Sequence, residues 1–206
     1  MDDDVTGLTR EGPPSAAREF VPRPHRELPM LRLFLPFTDL HRPQGDDAVR
    51  WSRFAELGDH SASLSWFELA DRIAAEHPAV RDLIPCMGEL DEETAAALRG
   101  VIGDMRLRCL RWTGYGEAAR TGTPRRVFGS EYFEDDLRAS DVVAGRRVPE
   151  FAWDAAGRLA WGTRLYPDSL IVAAEPPLFR QLHNDPRLDV VSVRVERDVL
   201  PPSAGD

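Results

Sequence analysis

The sequence predicts an α+β fold, with a mainly antiparallel sheet in the C-terminal half packed by helices from the N-terminal half. Three observations predict it. Two stretches of the first half carry apolar residues at helical spacing behind a capping residue. From Arg106 onward the pattern changes to apolar alternation with a period of two. The alternating segments are separated by short turn sequences, so most of them connect as hairpins.

Taken in order, residues 1–28 hold Pro13, Pro14, Pro22 and Pro24 among charged residues without an apolar period, which predicts a disordered or loosely ordered leader. Met30 to Phe37 alternates as a strand, and Pro36 should end its pairing. Asp46 or Asp47 caps a short helix carrying Trp51, Phe54 and Ala55, with Gly58 as its stop. Ser65 and Glu68 have the spacing of a capping box, and Trp66, Leu69, Ala70, Ile73 and Ala74 follow at helical spacing until His77-Pro78. Residues 78–90 read as irregular. Asp91 caps the next helix, whose stripe is Leu98, Val101, Ile102 and Met105.

The sheet half begins with a strand from Arg106 to Thr113 and the turn Gly114-Tyr115-Gly116. Arg126 to Phe133 reads as a second strand, and the acidic run Glu134-Asp135-Asp136 as the loop after it. Phe151-Ala152-Trp153 and Leu159-Ala160-Trp161 flank Asp154-Ala155-Ala156-Gly157, a hairpin signal in which Gly157 supplies a positive φ. Leu170 to Ala174 is a short strand, Pro176 and Pro177 open a helix, and Leu188 to Val195 is the last strand. The domain is therefore expected over 29–197, with 198–206 as a flexible tail.

Composition narrows the function. All 26 basic residues are arginine, against 35 acidic ones, for a net charge of −9. Without lysine there can be no Walker A phosphate loop, no Schiff-base chemistry and no kinase phosphate lysine. The negative charge argues against nucleic acid as a partner. The acidic start Met1-Asp2-Asp3-Asp4 is unlike a signal peptide, and no apolar run is long enough to span a membrane, so a cytoplasmic protein is expected. Cys86 and Cys109 then read as buried free thiols.

No cofactor or metal is expected. Gly114-x-Gly116-x-x-Ala119 has the outline of a dinucleotide fingerprint, but Gly122 and Pro124 interrupt the helix that such a site needs. The histidines have no metal-ligand spacing. The candidate site residues are the sheet aromatics Trp112, Tyr115, Tyr132, Trp153 and Trp161, with Glu131, Asp154 and Arg158 beside them in sequence. Cross-strand core packing accounts for the aromatics. The alternative is a surface for a partner, because tryptophan, tyrosine and arginine dominate binding hot spots.

Four segments carry a resemblance. Val49-Arg50-Trp51, Cys109 through Trp112-Thr113-Gly114-Tyr115-Gly116, Ser130-Glu131-Tyr132 and Asp185-Pro186-Arg187-Leu188 resemble a family of uncharacterised actinobacterial proteins. In that family a strand ends in a Trp-acid-Gly-aromatic-Gly turn, an Arg-Glu-Tyr strand follows, and a late helix leads into Asp-Pro-Arg-Leu-Glu. This chain departs at Thr113, where the family has a carboxylate, and at Ser130, where it has arginine. The likeness covers about residues 30–195 and implies one domain and an actinobacterial source, with no activity attached.

The function expected from these residues is non-catalytic binding of a protein partner, in an immunity-like or regulatory role, with homo-oligomerisation open. An enzyme built on carboxylates near Glu131 and Asp154 with nearby arginines, or a small-ligand module, are the alternatives.

Overall fold

The computed structural model describes residues 7–8, 16–39, 48–54, 62–115, 123–165 and 167–194. Ten strands form two sheets. The strands are β1 (Met30–Phe34), β2 (Phe37–Asp39), β3 (Leu83–Pro85), β4 (Leu107–Trp112), β5 (Arg125–Val127), β6 (Ser130–Leu137), β7 (Phe151–Asp154), β8 (Leu159–Gly162), β9 (Ser169–Ala174) and β10 (Asp189–Val193). The α-helices are α1 (Trp66–Ile73), α2 (Glu92–Ile102) and α3 (Pro176–His183). Eight strands make one antiparallel sheet in the order β10-β1-β9-β8-β7-β4-β6-β5, and β2 pairs with β3 in the other. The α+β architecture is the one that the sequence predicts. Among the described residues no helix is long and apolar enough to cross a membrane.

Strand β1 lies between two strands from the far end of the chain. Met30 sits opposite Ala173 on one side and Val193 on the other. Strands β9 and β10 therefore run parallel to one another with β1 between them, and α3 makes the crossover.

Alternation sends the two sets of strand side chains to opposite faces. On one face Leu31, Leu33, Leu107, Cys109, Trp161, Leu170 and Val172 pack under the helices, which contribute Leu98, Val101 and Ile102 from α2 and Leu182 from α3. Asp91 caps α2 as its sequence predicts, its Oδ1 accepting the N–H groups of Glu93 at 2.9 Å and Thr94 at 3.0 Å. The helix stops at Ile102 rather than Met105, because Gly103 takes φ 52° there. Helix α1 opens with the full capping box, Ser65 and Glu68 each bonding the other's backbone N–H.

The opposite face is covered by residues 16–28, which with 7–8 are the described part of the segment expected to be a loose leader. It is instead a packed strap of two 3-10 turns, Ala17–Phe20 and Arg23–His25. Ala17, Phe20 and Val21 are buried with Met30, Leu110, Phe151, Trp153, Ala160 and Ile171. Its prolines set the extended and tight dihedrals that the strap needs, while the 3-10 turns hide any regular apolar period. Gly162 lets the strap lie on the sheet: a Cβ there would fall 1.8 Å from the Phe20 carbonyl oxygen.

Three further segments differ from the sequence reading. Arg126 to Phe133 is not one strand. Phe128 and Gly129, at φ 47° and 87°, form a two-residue turn between β5 and β6, and the Phe128 ring packs near Phe20 and Phe151. This carries the acidic run Glu134-Asp135-Asp136 into β6 as a strand rather than a loop, paired with Arg108 to Leu110 of β4. Ion pairs stabilise it there, Arg106 with Asp136 and Arg125 with Glu134. Leu83–Pro85, within the stretch read as irregular, pairs with Phe37–Asp39. Of the short helix expected from Asp46 or Asp47, the described part is a 3-10 turn over Trp51–Arg53, while Asp46, Asp47, Ala55, Gly58 and the tail 198–206 lie outside the described residues. Trp51 and Trp66 join Phe34 and Phe37 in an aromatic cluster, with the Trp51 indole N–H donating to the Leu35 carbonyl at 2.9 Å.

Candidate functional site

The segments that carry the motif resemblance meet in two places. At one, Ser52 N–H donates to Asp189 Oδ2 at 3.1 Å, Arg50 donates to the Pro186 carbonyl at 3.5 Å, and Arg50 pairs with Glu93 at 2.7 Å. At the other, Trp112 at the end of β4 stands opposite Tyr132 of β6.

The second place is a built corner. After β4 the chain makes a 3-10 turn over Thr113–Tyr115. The Trp112 ring folds across Gly114, where a Cβ would fall 2.4 Å from the ring, so only glycine fits. Tyr115 meets Trp112 edge to face, centroids 4.9 Å apart and planes at 88°. The Arg147 guanidinium lies 4.5 Å over the Tyr115 ring. Arg147 is itself fixed, its Nε donating to the Met87 carbonyl at 3.0 Å and its outer nitrogen standing 3.3 Å from Glu89. Arg111 donates to the Arg147 carbonyl at 3.1 Å.

Glu150 closes the corner from behind. It is 1% exposed, and its Oε2 accepts the Trp112 N–H at 2.9 Å. Burial pushes its acid above the ordinary carboxyl range, against the pull of the Trp112 N–H, the Tyr115 hydroxyl and the Arg111 charge. Burial also pushes the Tyr132 phenol well up, and the neighbouring Glu150 charge adds to it. Trp112, Thr113 and Tyr115 are half-buried and Gly114 is exposed, so the corner presents one side to solvent while the other is locked.

The structure brings together three of the residues singled out in the sequence, Trp112, Tyr115 and Tyr132, and disperses the rest. Glu131 is exposed beside Arg126, on the opposite face from Tyr132. Trp153 is buried opposite Ala160 under the strap. Trp161 is wholly buried on the helical face, its indole N–H donating to the Pro149 carbonyl at 3.0 Å. These two tryptophans are core residues and cannot be a partner surface, because adjacent register positions put them on opposite faces. Asp154 and Arg158 pair at 2.9 Å across the β7–β8 turn.

Asp154 is far from Glu131. Through Leu107 it aligns with Leu137, six residues along β6 from Glu131, or about 20 Å at strand rise. The two carboxylates cannot share a substrate atom, which removes the basis for an enzyme built on both.

Glu150, Arg147 and Arg111 were missed by the sequence reading, and so was His25. Nothing in the Pro149-Glu150-Phe151 string distinguishes a buried acid from a strand-end carboxylate; the signal is the pairing of β4 with β7, which is non-local. His25 lies in the strap, 1% exposed, with Nε2 3.5 Å from Asp154 Oδ1. Burial pushes the Asp154 carboxyl up, but the N–H groups of Leu159 and Arg158, the Arg158 guanidinium and His25 outweigh it and hold the acid below its ordinary range. Cys86 is half-buried, and burial with nearby Glu89 and Asp91 raises its thiol to about 12, so it stays protonated. Among the described residues no group of three or more His, Cys, Asp or Glu side chains could hold a metal ion.

No family model, curated protein or solved structure matches this chain. The corner must be read from its own geometry.

Proposed function

We propose that this is a non-catalytic cytoplasmic protein that binds a protein partner through the Trp112–Tyr115 corner, in an immunity-like or regulatory role. The observation that carries the reading is the locking of a half-exposed Trp-Tyr-Arg set from behind by buried Glu150. Aromatic anchors that are already ordered lose little conformational entropy when a partner docks. Arginine and aromatic groups are also the residues most often responsible for binding energy. The complementary patch on the partner is aromatic or aliphatic, with a carboxylate facing Arg147.

The test is comparative capture. Wild type, Tyr115→Ala and the exposed-strand control Arg126→Ala are immobilised and challenged with host lysate, and any retained protein is purified for titration. The expected result is a protein held by wild type and Arg126→Ala, whose affinity falls at least about thirtyfold, some 2 kcal/mol, with Tyr115→Ala. A purified partner that binds Tyr115→Ala as tightly as wild type overturns the assignment of this corner.

A further inference from the structure

The strap carries a second feature that the partner-binding reading does not use. His25 is buried where the strap meets the β7–β8 turn; neither ring nitrogen makes a well-aligned hydrogen bond among the described residues, and its polar contacts are with the side chain and backbone of Asp154. Asp154 Oδ1 stands 3.5 Å from Nε2. That carboxylate is already engaged. Its Oδ1 accepts the N–H groups of Arg158 at 2.6 Å and Leu159 at 3.0 Å, and its Oδ2 accepts Arg158 Nε at 2.9 Å.

The β7–β8 turn brings Asp154 and Arg158 toward His25, and the strap itself carries Arg18, Glu19, Arg23, Arg26 and Glu27. Arg26 is turned to the Val21 and Gly7 carbonyls, each at 3.3 Å. Asp154 alone among these acts on the imidazole, and burial outweighs it, so His25 is held below its ordinary value of 6.5.

Neutral imidazole fits this place, with a proton on Nε2 facing Asp154 and a bare Nδ1. Protonation adds a second N–H at Nδ1, buried and with no well-aligned acceptor among the described residues, and places a charge where burial disfavours it. The contacts that seat the strap elsewhere are close and apolar. Phe20 lies on Gly162 and near the Phe128 ring, and Phe128 occupies a left-handed backbone conformation that favours glycine or asparagine.

We propose that residues 16–28 form an acid-released strap, in which neutral His25 beside Asp154 is the latch and protonation of His25 opens the strap from the sheet. Opening uncovers the apolar set of Phe151, Trp153, Ala160 and Ile171 while the helical face stays packed. The sign follows from linkage. A base depressed in the closed state leaves closure intact above 6.5, and the closed form loses stability as pH falls below that value toward the folded one. With the open imidazole at its ordinary value, the open population at pH 5.0 rises by at most about thirtyfold over that at pH 7.5.

Hydrogen exchange of the full chain, corrected for the intrinsic pH dependence of amide exchange, tests this. Amides of 16–28 are expected to lose protection by up to about thirtyfold between pH 7.5 and 5.0, with β8 and β9 unchanged. His25→Gln is expected to abolish that difference. A His25→Gln protein with the wild-type pH response overturns the proposal, and so does loss of protection in β8 and β9 in step with the strap. If His25→Gln does not fold, NMR titration of the wild-type imidazole decides. Protonation of His25 must coincide with loss of strap protection, and a strap that stays protected once His25 is charged overturns the proposal.

Discussion

The two faces of the large sheet are covered by different means. The helical face is closed by α2 and α3 through an apolar cluster in which Leu98, Val101 and Ile102 meet Leu31, Leu33 and Trp161. The strap face is closed by a 3-10 segment, by a glycine contact at Gly162 and by aromatic rings, and His25 and Arg32 are buried on that side. Arg32 is 1% exposed but fully partnered, donating to Ser169, Asp168 and the carbonyls of Ala62 and Leu64. The difference teaches that one face is held by volume and the other by fit and charge. The helical face should respond to truncation and ignore pH; the strap face should respond to added bulk and to protons.

The largest effect expected from breaking that contrast is at Gly162. Gly162→Val places carbon where the Phe20 carbonyl lies, so the strap must lift. A loss of about 3 kcal/mol or more is expected in urea denaturation, with strap exchange accelerated even at neutral pH. Leu98→Ala comes next. It removes a side chain that is 2% exposed on the helical face, and a loss of about 3 kcal/mol is expected with strap protection relative to the rest unchanged. A strap that loosened selectively in Leu98→Ala would show that the two covers are coupled.

Glu150→Gln has the smallest effect and the most specific signature. The raised acid of Glu150 contributes stability that is fully present below its ordinary value of 4.5 and is lost as pH rises through its folded value. Glutamine can still accept the Trp112 N–H through its carbonyl and carries no buried charge. The stability of wild type relative to Glu150→Gln should therefore fall from pH 4 to pH 8. A difference independent of pH would show that Glu150 is solvated as in the unfolded chain.

The same contrast explains what was legible in the sequence. Helices α1 and α2 announce themselves through Ser65, Glu68 and Asp91 and through apolar residues at helical spacing, all of it local information. The β7–β8 hairpin is likewise local, with Gly157 at φ 75° as its turn sequence demands. The strap has no regular element to read, because prolines and 3-10 turns break it, and its buried residues, Ala17, Phe20, Val21, Pro22 and His25, include only three apolar side chains besides proline. The Phe128-Gly129 turn was missed because phenylalanine is not a left-handed residue; contacts with Phe20 and Phe151 hold it there.

At the candidate site, Trp112 and Tyr115 were legible because they flank a glycine-rich turn. Their union with Tyr132 rests on strand pairing, and the roles of Glu150 and Arg147 depend on register across several strands, which no window of sequence contains. The tryptophans of the β7–β8 hairpin show the limit from the other side. Composition marks Trp153 and Trp161 as interesting, and only the register reveals that they belong to opposite cores.

The placement of β1 has a consequence for how the chain comes to be folded. Both of its partners, Ser169–Ala174 and Asp189–Val193, are made long after it. Until then Met30–Phe34 is an apolar strand with two open edges, while the later β7–β8–β9 meander can pair locally as soon as it emerges. Closure of the sheet is thus a long-range event, and the nascent chain is exposed to aggregation through β1 until β9 and β10 arrive.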